Sequence, residues 1–423
     1  MIFSLVILLL ILGIAYFHLV QGLLSGIISM VLAVVAGTLA IGYHEAIVTG
    51  IMGGKMADYA NGIMLCVIFA AIYGIGRIVF DSLIPGNVRL PHMLDVIGGT
   101  GCGVVVGIVA AGVFAIAMQS MPLGPTVLMH TRYAMAEDRD VNIAGARRQE
   151  VARISGVLEK DLPEESEDLG LWIGADNMMV NYASYQSESG ALAGSTSLRE
   201  RHPNLLRELF FQRVGMESAA KRTALNIGAK KDIAVASVFA PPQALLQMDG
   251  ENPSLARGRK LPKQLAADPS KVVLVVRVVV QRSATDTDSR FRFSPGSIRL
   301  LANGKNFWPQ GALYEPGRVN LLMNFRIDDY LIAELDKEAG DATIDLVFIV
   351  DKADVLEDPA AKEGLKFKKD AFIEVKRLAR IDLTDQPIAQ TMPVAPPGGG
   401  MKWKTEAVTA IKDRMAEPGD AAK

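Results

Sequence analysis

The groups that could carry chemistry in this chain are few and scattered. Its 423 residues include five histidines and two cysteines. Cys66 and Cys102 both lie in strongly apolar stretches, so the polar remainder has no thiol for a disulfide, a thiolate metal site or a nucleophile. His18, His44 and His92 fall in or beside the same stretches, which leaves His130 and His202 as histidine bases of the polar part. Neither stands in a catalytic motif. A trypsin-like centre needs Gly-Asp-Ser-Gly-Gly, whereas the nearest serine-glycine pair, Ser189-Gly190, has no glycines for an oxyanion hole. His-Glu-x-x-His, a phosphate-cradling Gly-x-x-x-x-Gly-Lys and the Rossmann glycine fingerprint are also missing. This inventory predicts a protein without catalytic residues, cofactor or metal.

Ionisable groups in or next to the apolar stretches include His18, His44, Glu45, Arg77, Asp81 and Asp95. Asp95 precedes the last stretch, where a carboxylate accepts from exposed helix N–H groups and meets the positive end of the helix dipole, so it reads as the N-cap of that helix. Arg77 and Asp81 stand four apart and read as an i,i+4 pair reaching toward the interface. His44 and Glu45 close the second stretch and read as interfacial.

The elements that hold these groups are membrane spans. A helix rises about 1.5 Å per residue, so crossing a bilayer core takes about 18 or more apolar residues. Four segments qualify: Ile2 to Val20, Leu23 to Ile41, Ala60 to Phe80 and Val96 to Met118. The first two are so close that they form a tight hairpin. Segment one lacks the basic n-region and small-residue cleavage site of a signal peptide, and further spans follow at once, so it reads as a retained span. Composition hides this division: 50% hydrophobic residues, 21% charged residues and a net charge of -2 average two different solvents. Near-balanced charge gives no basic surface for nucleic acid.

In the fourth span Gly99, Gly103, Gly107, Ala111 and Ala115 recur every four residues. Small residues on one face let a second helix approach until backbones nearly touch, which predicts a packing seam within the chain or between copies. No span carries a charged stripe suited to ion selection. The charge rule leaves orientation open. Arg77 and Arg89 bracket the loop between spans three and four, while Lys55, Arg132 and Arg139 flank the opposite side.

This block resembles the colicin V production protein family of bacterial inner-membrane proteins, which has a short first hairpin ending in an Arg-Gly element. A second signature, Asp-Arg-x-x-Gly-x-x-x-Gly-x-x-Arg-Gly, opens the family's fourth helix. Gly22 matches the hairpin glycine, with Gln21 in place of arginine; Asp95, Gly99, Gly103 and Gly107 match the second signature in order, with Val96 and Val106 where arginines are common. The likeness covers about the first 120 residues. It implies an inner-membrane accessory role in toxin production and export or envelope maintenance, and it implies extracytoplasmic termini.

Beyond Pro122-Leu-Gly-Pro125 the chain reads as soluble. Residues 122–240 are expected to be mainly helical, with helices over Ala144 to Leu158, Asp168 to Tyr185 and Asn204 to Val214, an acidic turn around Pro163 and a Ser/Gly-rich loop at Ser187 to Ser197. Residues 241–270 read as a Pro-containing linker and 384–423 as a flexible tail, with a weak terminal helix near Trp403. Between them, Lys271 to Gln281 is rich in β-branched residues and opens a series of about seven candidate strands to Leu383. Asn303-Gly304 marks a hairpin turn there. The expected fold is a four-helix membrane bundle followed by a soluble α+β region ending in an all-β, immunoglobulin-like sandwich. The expected function is a membrane scaffold that anchors an extracytoplasmic interaction module, contacts lipid and an envelope protein, and has a glycine face suited to homo-oligomers. The alternatives are an oligomeric transport or channel component and, further off, a membrane-anchored hydrolase.

Overall fold

Size, more than polarity, sorts the faces of the first four helices. In the computed structural model α1 (Ile2–Gln21), α2 (Leu23–Ile47), α3 (Ala57–Leu83) and α4 (His92–Gln119) are each long and apolar enough to cross a membrane. Ala15, Ala33, Ala36, Gly37, Ala40, Ala111 and Ala115 are buried, whereas Leu9, Leu12, Val31, Val35, Ile75 and Ile78 face outward. In water that distribution would expose the largest apolar groups. In lipid the outer face meets a solvent as apolar as itself, and small inner residues bring helices close enough for dispersion to hold them. The chain is a membrane protein, with four helices among the described residues long and apolar enough to span.

The structure describes residues 2–52, 57–84, 91–124, 126–132, 170–190, 197–214, 232–241, 246–247, 269–285, 288–313, 321–324, 331–336, 338, 340–361, 363–377, 379–391 and 402–403. The expected helix at 144–158 and the acidic turn around Pro163 lie outside them, as does most of the 241–270 linker. Two compact units form: the first comprises Met1–Tyr133 with Glu167–Phe210, and Phe211–Lys423 belong to the second. Of the expected 122–240 region, Glu167–Phe210 fall in the bundle's unit and Ile233–Phe239 form a strand of the second.

Within the first unit α4 packs against α1 and α2, and α2 against α3. Among the described residues three shorter helices follow: α5 (Ala175–Glu188), α6 (Leu198–Arg201) and α7 (Leu205–Val214), of which α7 belongs to this unit only up to Phe210. Helix α5 starts and ends later than the expected 168–185 span. A capping box opens α6, with Ser197 and Glu200 each bonding the other's backbone N–H. Met179, Ala183, Leu198, Leu205, Leu206 and Leu209 join Ala33, Ala40, Val109 and Val113 in one apolar cluster.

The second unit is rich in strands, but its pairing departs from an immunoglobulin-like sandwich of antiparallel strands in two sheets. Fourteen strands occur among the described residues, in sheets of seven, four and three. The largest has the order β13 (Ile388–Ala389), β1 (Ile233–Phe239), β3 (Lys271–Gln281), β10 (Asp341–Asp351), β7 (Gly311–Leu313), β8 (Leu321–Asn324), β2 (Leu246–Gln247). Its β1–β13 and β2–β8 pairs are parallel. Strand β1 lies where helix was expected, and β2 lies in the expected linker. The second sheet runs β12 (Ala379–Asp382), β11 (Phe372–Val375), β5 (Ile298–Ala302), β6 (Lys305–Phe307), and the third β14 (Lys402–Trp403), β9 (Leu331–Glu334), β4 (Arg290–Phe293). Strands β13 and β14 fall within the expected flexible tail, and Trp403 stands in a strand paired with β9 in place of a terminal helix.

Strands β3 and β10 pair along their full length, from Lys271 opposite Asp351 to Gln281 opposite Asp341. Leu274, Val276, Leu346 and Phe348 face the main core with Phe291, Phe293, Leu300, Ile373 and Val375. Val275, Val347 and Ile349 join Phe239 and Leu313 in a smaller cluster. Both faces are buried, which is why the β3 sequence is nearly continuous valine and leucine. Arg277 stands opposite Asp345, with bonds of 2.8 and 2.7 Å between buried side chains. Arg299 and Glu374 repeat the device between β5 and β11 at 3.0 Å. A one-residue slip would separate each pair and exchange the faces of every side chain.

Candidate functional site

Gly22 sits between α1 and α2 with φ +86°, a conformation that favours glycine. It has no side chain with which to cap α2. Asp95 does so from α4: the Leu23 N–H donates to Asp95 Oδ1 at 2.7 Å. Asp95 was expected to cap its own helix. It lies inside the first turn of α4, whose N-cap is Pro91 with no side-chain bond, so the carboxylate turns to the nearest helix start that lacks an acceptor. A Cβ on Gly22 would lie 2.7 Å from Asp95 Oδ1, and one on Gly99 would lie 2.9 Å from the His18 carbonyl oxygen. Gly22, Asp95 and Gly99 therefore form one junction.

The glycine series continues from this junction along α1. A Cβ on Gly103 would meet His18 Cβ at 2.6 Å and Ala15 Cα at 3.0 Å; one on Gly107 would meet the Ile11 carbonyl oxygen at 2.9 Å. Ala111 is fully buried in the cluster that contains Phe3, Ile7 and Ile11. The small-residue face is thus occupied by α1 of the same chain. On a neighbouring flank Gly112 receives α5: an added Cβ would lie 2.5 Å from the Ala175 carbonyl oxygen and 2.6 Å from Met179 Cγ.

Arg77 does more than pair with Asp81. Its Nε donates to Asp81 Oδ2 at 3.1 Å, while Nη1 donates to the Ser25 carbonyl at 3.2 Å and Ser29 Oγ at 3.0 Å, and Nη2 to Ser25 Oγ at 2.7 Å. These bonds tie α3 to α2, whose interior serines give the guanidinium acceptors where water is scarce.

The opposite end of the bundle holds two buried polar clasps. His202 Nδ1 lies 2.6 Å from Glu208 Oε2, and its Nε2 lies 2.8 Å from Glu45 Oε2. His44 adjoins, with Nδ1 donating to the Ala40 and Ile41 carbonyls and Nε2 lying 3.9 Å from Glu45 Oε1. With a carboxylate against each ring nitrogen, His202 can donate to both only as imidazolium. Because the carboxylates sit on opposite sides of the ring, they cannot converge on one ion. Among the described residues no three His, Cys, Asp or Glu side chains are placed to hold a metal. In the second clasp Arg132 Nη1 donates to Asp176 Oδ2 at 2.7 Å, and Gln119 Nε2 donates to the same oxygen at 2.8 Å. Asp176 Oδ1 accepts from the Asn177 N–H at 2.9 Å.

Glu45 is interfacial by sequence but belongs to a clasp by structure. Arg132 is likewise a buried partner and not only a flanking charge. Asp176, Gln119 and Glu208 carry no motif in the sequence; the available signal is His202 followed by Glu208 on a helix that mixes apolar and charged residues, a pairing that spacing alone does not connect to Glu45. No family model, curated protein or solved structure matches this chain.

Proposed function

We propose that the chain is a membrane scaffold or accessory factor of the colicin V production type, whose bundle anchors the β-rich unit outside the cytoplasmic membrane of a bacterium. Its role would lie in toxin production and export or in envelope maintenance, through an envelope protein partner that the β-rich unit engages. The observation that carries this reading is the pair of buried clasps, Glu45–His202–Glu208 and Arg132–Asp176–Gln119. They fix the helices after the spans to the bundle, as an anchor for a following module requires. The Gly22–Asp95 junction supports the family likeness, because its two signature stretches meet at one bond.

Two experiments test the proposal. In a background with Cys66 and Cys102 replaced by alanine, single cysteines at the exposed positions Glu357 and Lys369 should react with a membrane-impermeant thiol reagent while the cytoplasmic membrane is intact. Labelling only after lysis would put the module in the cytoplasm and overturn the proposed orientation. In a deletion strain with an envelope or toxin-export defect, the full chain should restore function and residues 1–133 alone should not. Full rescue by the spans alone would refute the scaffold reading.

A further inference from the structure

Past α4 the chain makes a turn that local energetics oppose. Leu128 and Met129 both adopt left-handed backbone, with φ 47° and 59°. Such a conformation is strained for bulky side chains. The turn is closed by reciprocal Val127 and His130 backbone bonds of 2.9 Å each, and Leu128's carbonyl accepts from the Phe3 N–H at 3.1 Å. Positive φ at both central residues is the primed hairpin geometry that glycine and asparagine usually supply. Here it presents apolar groups outward: Met129 is 74% exposed and Leu128 45%. Water would add a solvation cost to the backbone strain.

A second apolar surface lies at the same end of the bundle, where α1 begins and α4 finishes. Helix α5 turns Ala175, Met179 and Ala183 inward and leaves Met178, Tyr182 and Tyr185 exposed at intervals of four and three, with Trp172 exposed just before it. Its start packs beside Gly112, which lies seven residues before the end of α4 and therefore about 10 Å inward along that helix. The exposed face also carries Asn181 and Glu188, and Tyr182 Oη accepts from Gln186 Nε2 at 3.1 Å. Aromatic rings with polar tips beside a few polar groups suit the zone between headgroups and acyl chains. Leu5, Leu9 and Leu12 extend the exposed apolar surface along α1.

We infer that the Leu128-Met129 turn and the outer face of α5 form a collar inserted into the bilayer boundary, with lipid as its occupant. The strained turn places its side chains into acyl chains, and α5 lies along the interface with its aromatic face in lipid. The Leu128-Met129 turn and α5 are therefore membrane-contacting parts of the protein and not parts of a soluble stalk.

Spin labels on single cysteines at Met129, Met178 and Tyr185, in the full chain with Cys66 and Cys102 replaced by alanine, test the collar. The chain is reconstituted in vesicles of phosphatidylethanolamine and phosphatidylglycerol, with Lys369→Cys as an aqueous control. The expected result is frequent collision with dissolved oxygen and loss of collision with a water-soluble nickel chelate at all three sites, relative to Lys369. Nickel access at either the turn or α5 equal to that at Lys369 overturns the collar. Protection from both quenchers would mean that protein covers the surface, and it overturns the lipid assignment. All three sites are exposed, so labelling leaves the packed faces untouched, and Met178 and Tyr185 report the same helix face should one variant fail to fold.

Discussion

Replacing Gly103 by alanine should force α1 away from α4, whereas the same change two residues earlier should be harmless. The methyl on Gly103 would stand 2.6 Å from His18 Cβ, 3.0 Å from Ala15 Cα and 3.1 Å from the Ala15 oxygen. Carbon pairs rest at about 3.5–4.0 Å, so α1 must retreat by about 1 Å at this level. None of the three atoms is the free end of a side chain that could rotate away. A gap of about that size removes a quarter to a half of each contact's attraction along the seam. Overpacking of this kind costs about 1–3 kcal/mol, roughly 5- to 160-fold in the folding equilibrium. Gly101 has open space at its Cβ position, so Gly101→Ala should be neutral or gain up to about 1 kcal/mol from helix propensity. Unfolding both variants in mixed micelles by SDS titration, with Trp fluorescence as the signal, gives the comparison. Equal midpoints, or greater damage from Gly101→Ala, would refute the seam as the source of stability.

Other expected outcomes follow from single contacts. Asp95→Ala removes the acceptor for the Leu23 N–H and should cost about 1–2 kcal/mol, while Asp95→Asn keeps an oxygen and should cost less; amide exchange at Leu23 reads both. His202→Ala should raise hydrogen exchange across α6 and the start of α7 while exchange in the four spans stays low, and unchanged protection of α7 would count against the clasp. Arg132→Met leaves Asp176 buried without its cation and should lower stability by about 3–5 kcal/mol, measured by the same SDS titration. In the β-rich unit Arg277→Met should destabilise on the same scale of about 3–5 kcal/mol, and adding Asp345→Leu should recover most of the loss; a double variant no better than the single would refute an uncompensated carboxylate as the cause.

The spans were legible because length and hydropathy suffice to mark them. Their ends were less so: α2 runs to Ile47, six residues past the apolar segment that ended at Ile41, because His44 and Glu45 find partners inside the protein. The seam was legible as spacing, but its occupant was not, since a run of small residues does not say which helix fills it. Asp95 was legible as a cap, yet its recipient lies 72 residues away in sequence. Strand β3 was found to the residue because both its faces are buried. The run 371–383 instead divides into β11 and β12, whose hairpin passes through Lys376 and Arg377 at φ 52° and 57° without the glycine or asparagine that would announce it. Short strands such as β7, β13 and β14 exist through pairing with distant partners, and windows of two or three residues carry no period to detect.

The Asp95–Leu23 bond also orders events during synthesis. When the first hairpin leaves the ribosome, the start of α2 has no acceptor at hand for Leu23, and the carboxylate that will serve it is still 72 residues from being made. At 5–20 residues per second that interval lasts about 4–14 s. Throughout it the first two spans sit in the membrane with an unfinished helix end and with the α1 face that will receive the glycine seam still bare. Arrival of the fourth span supplies the cap and the seam together, and a chain truncated before Asp95 lacks both.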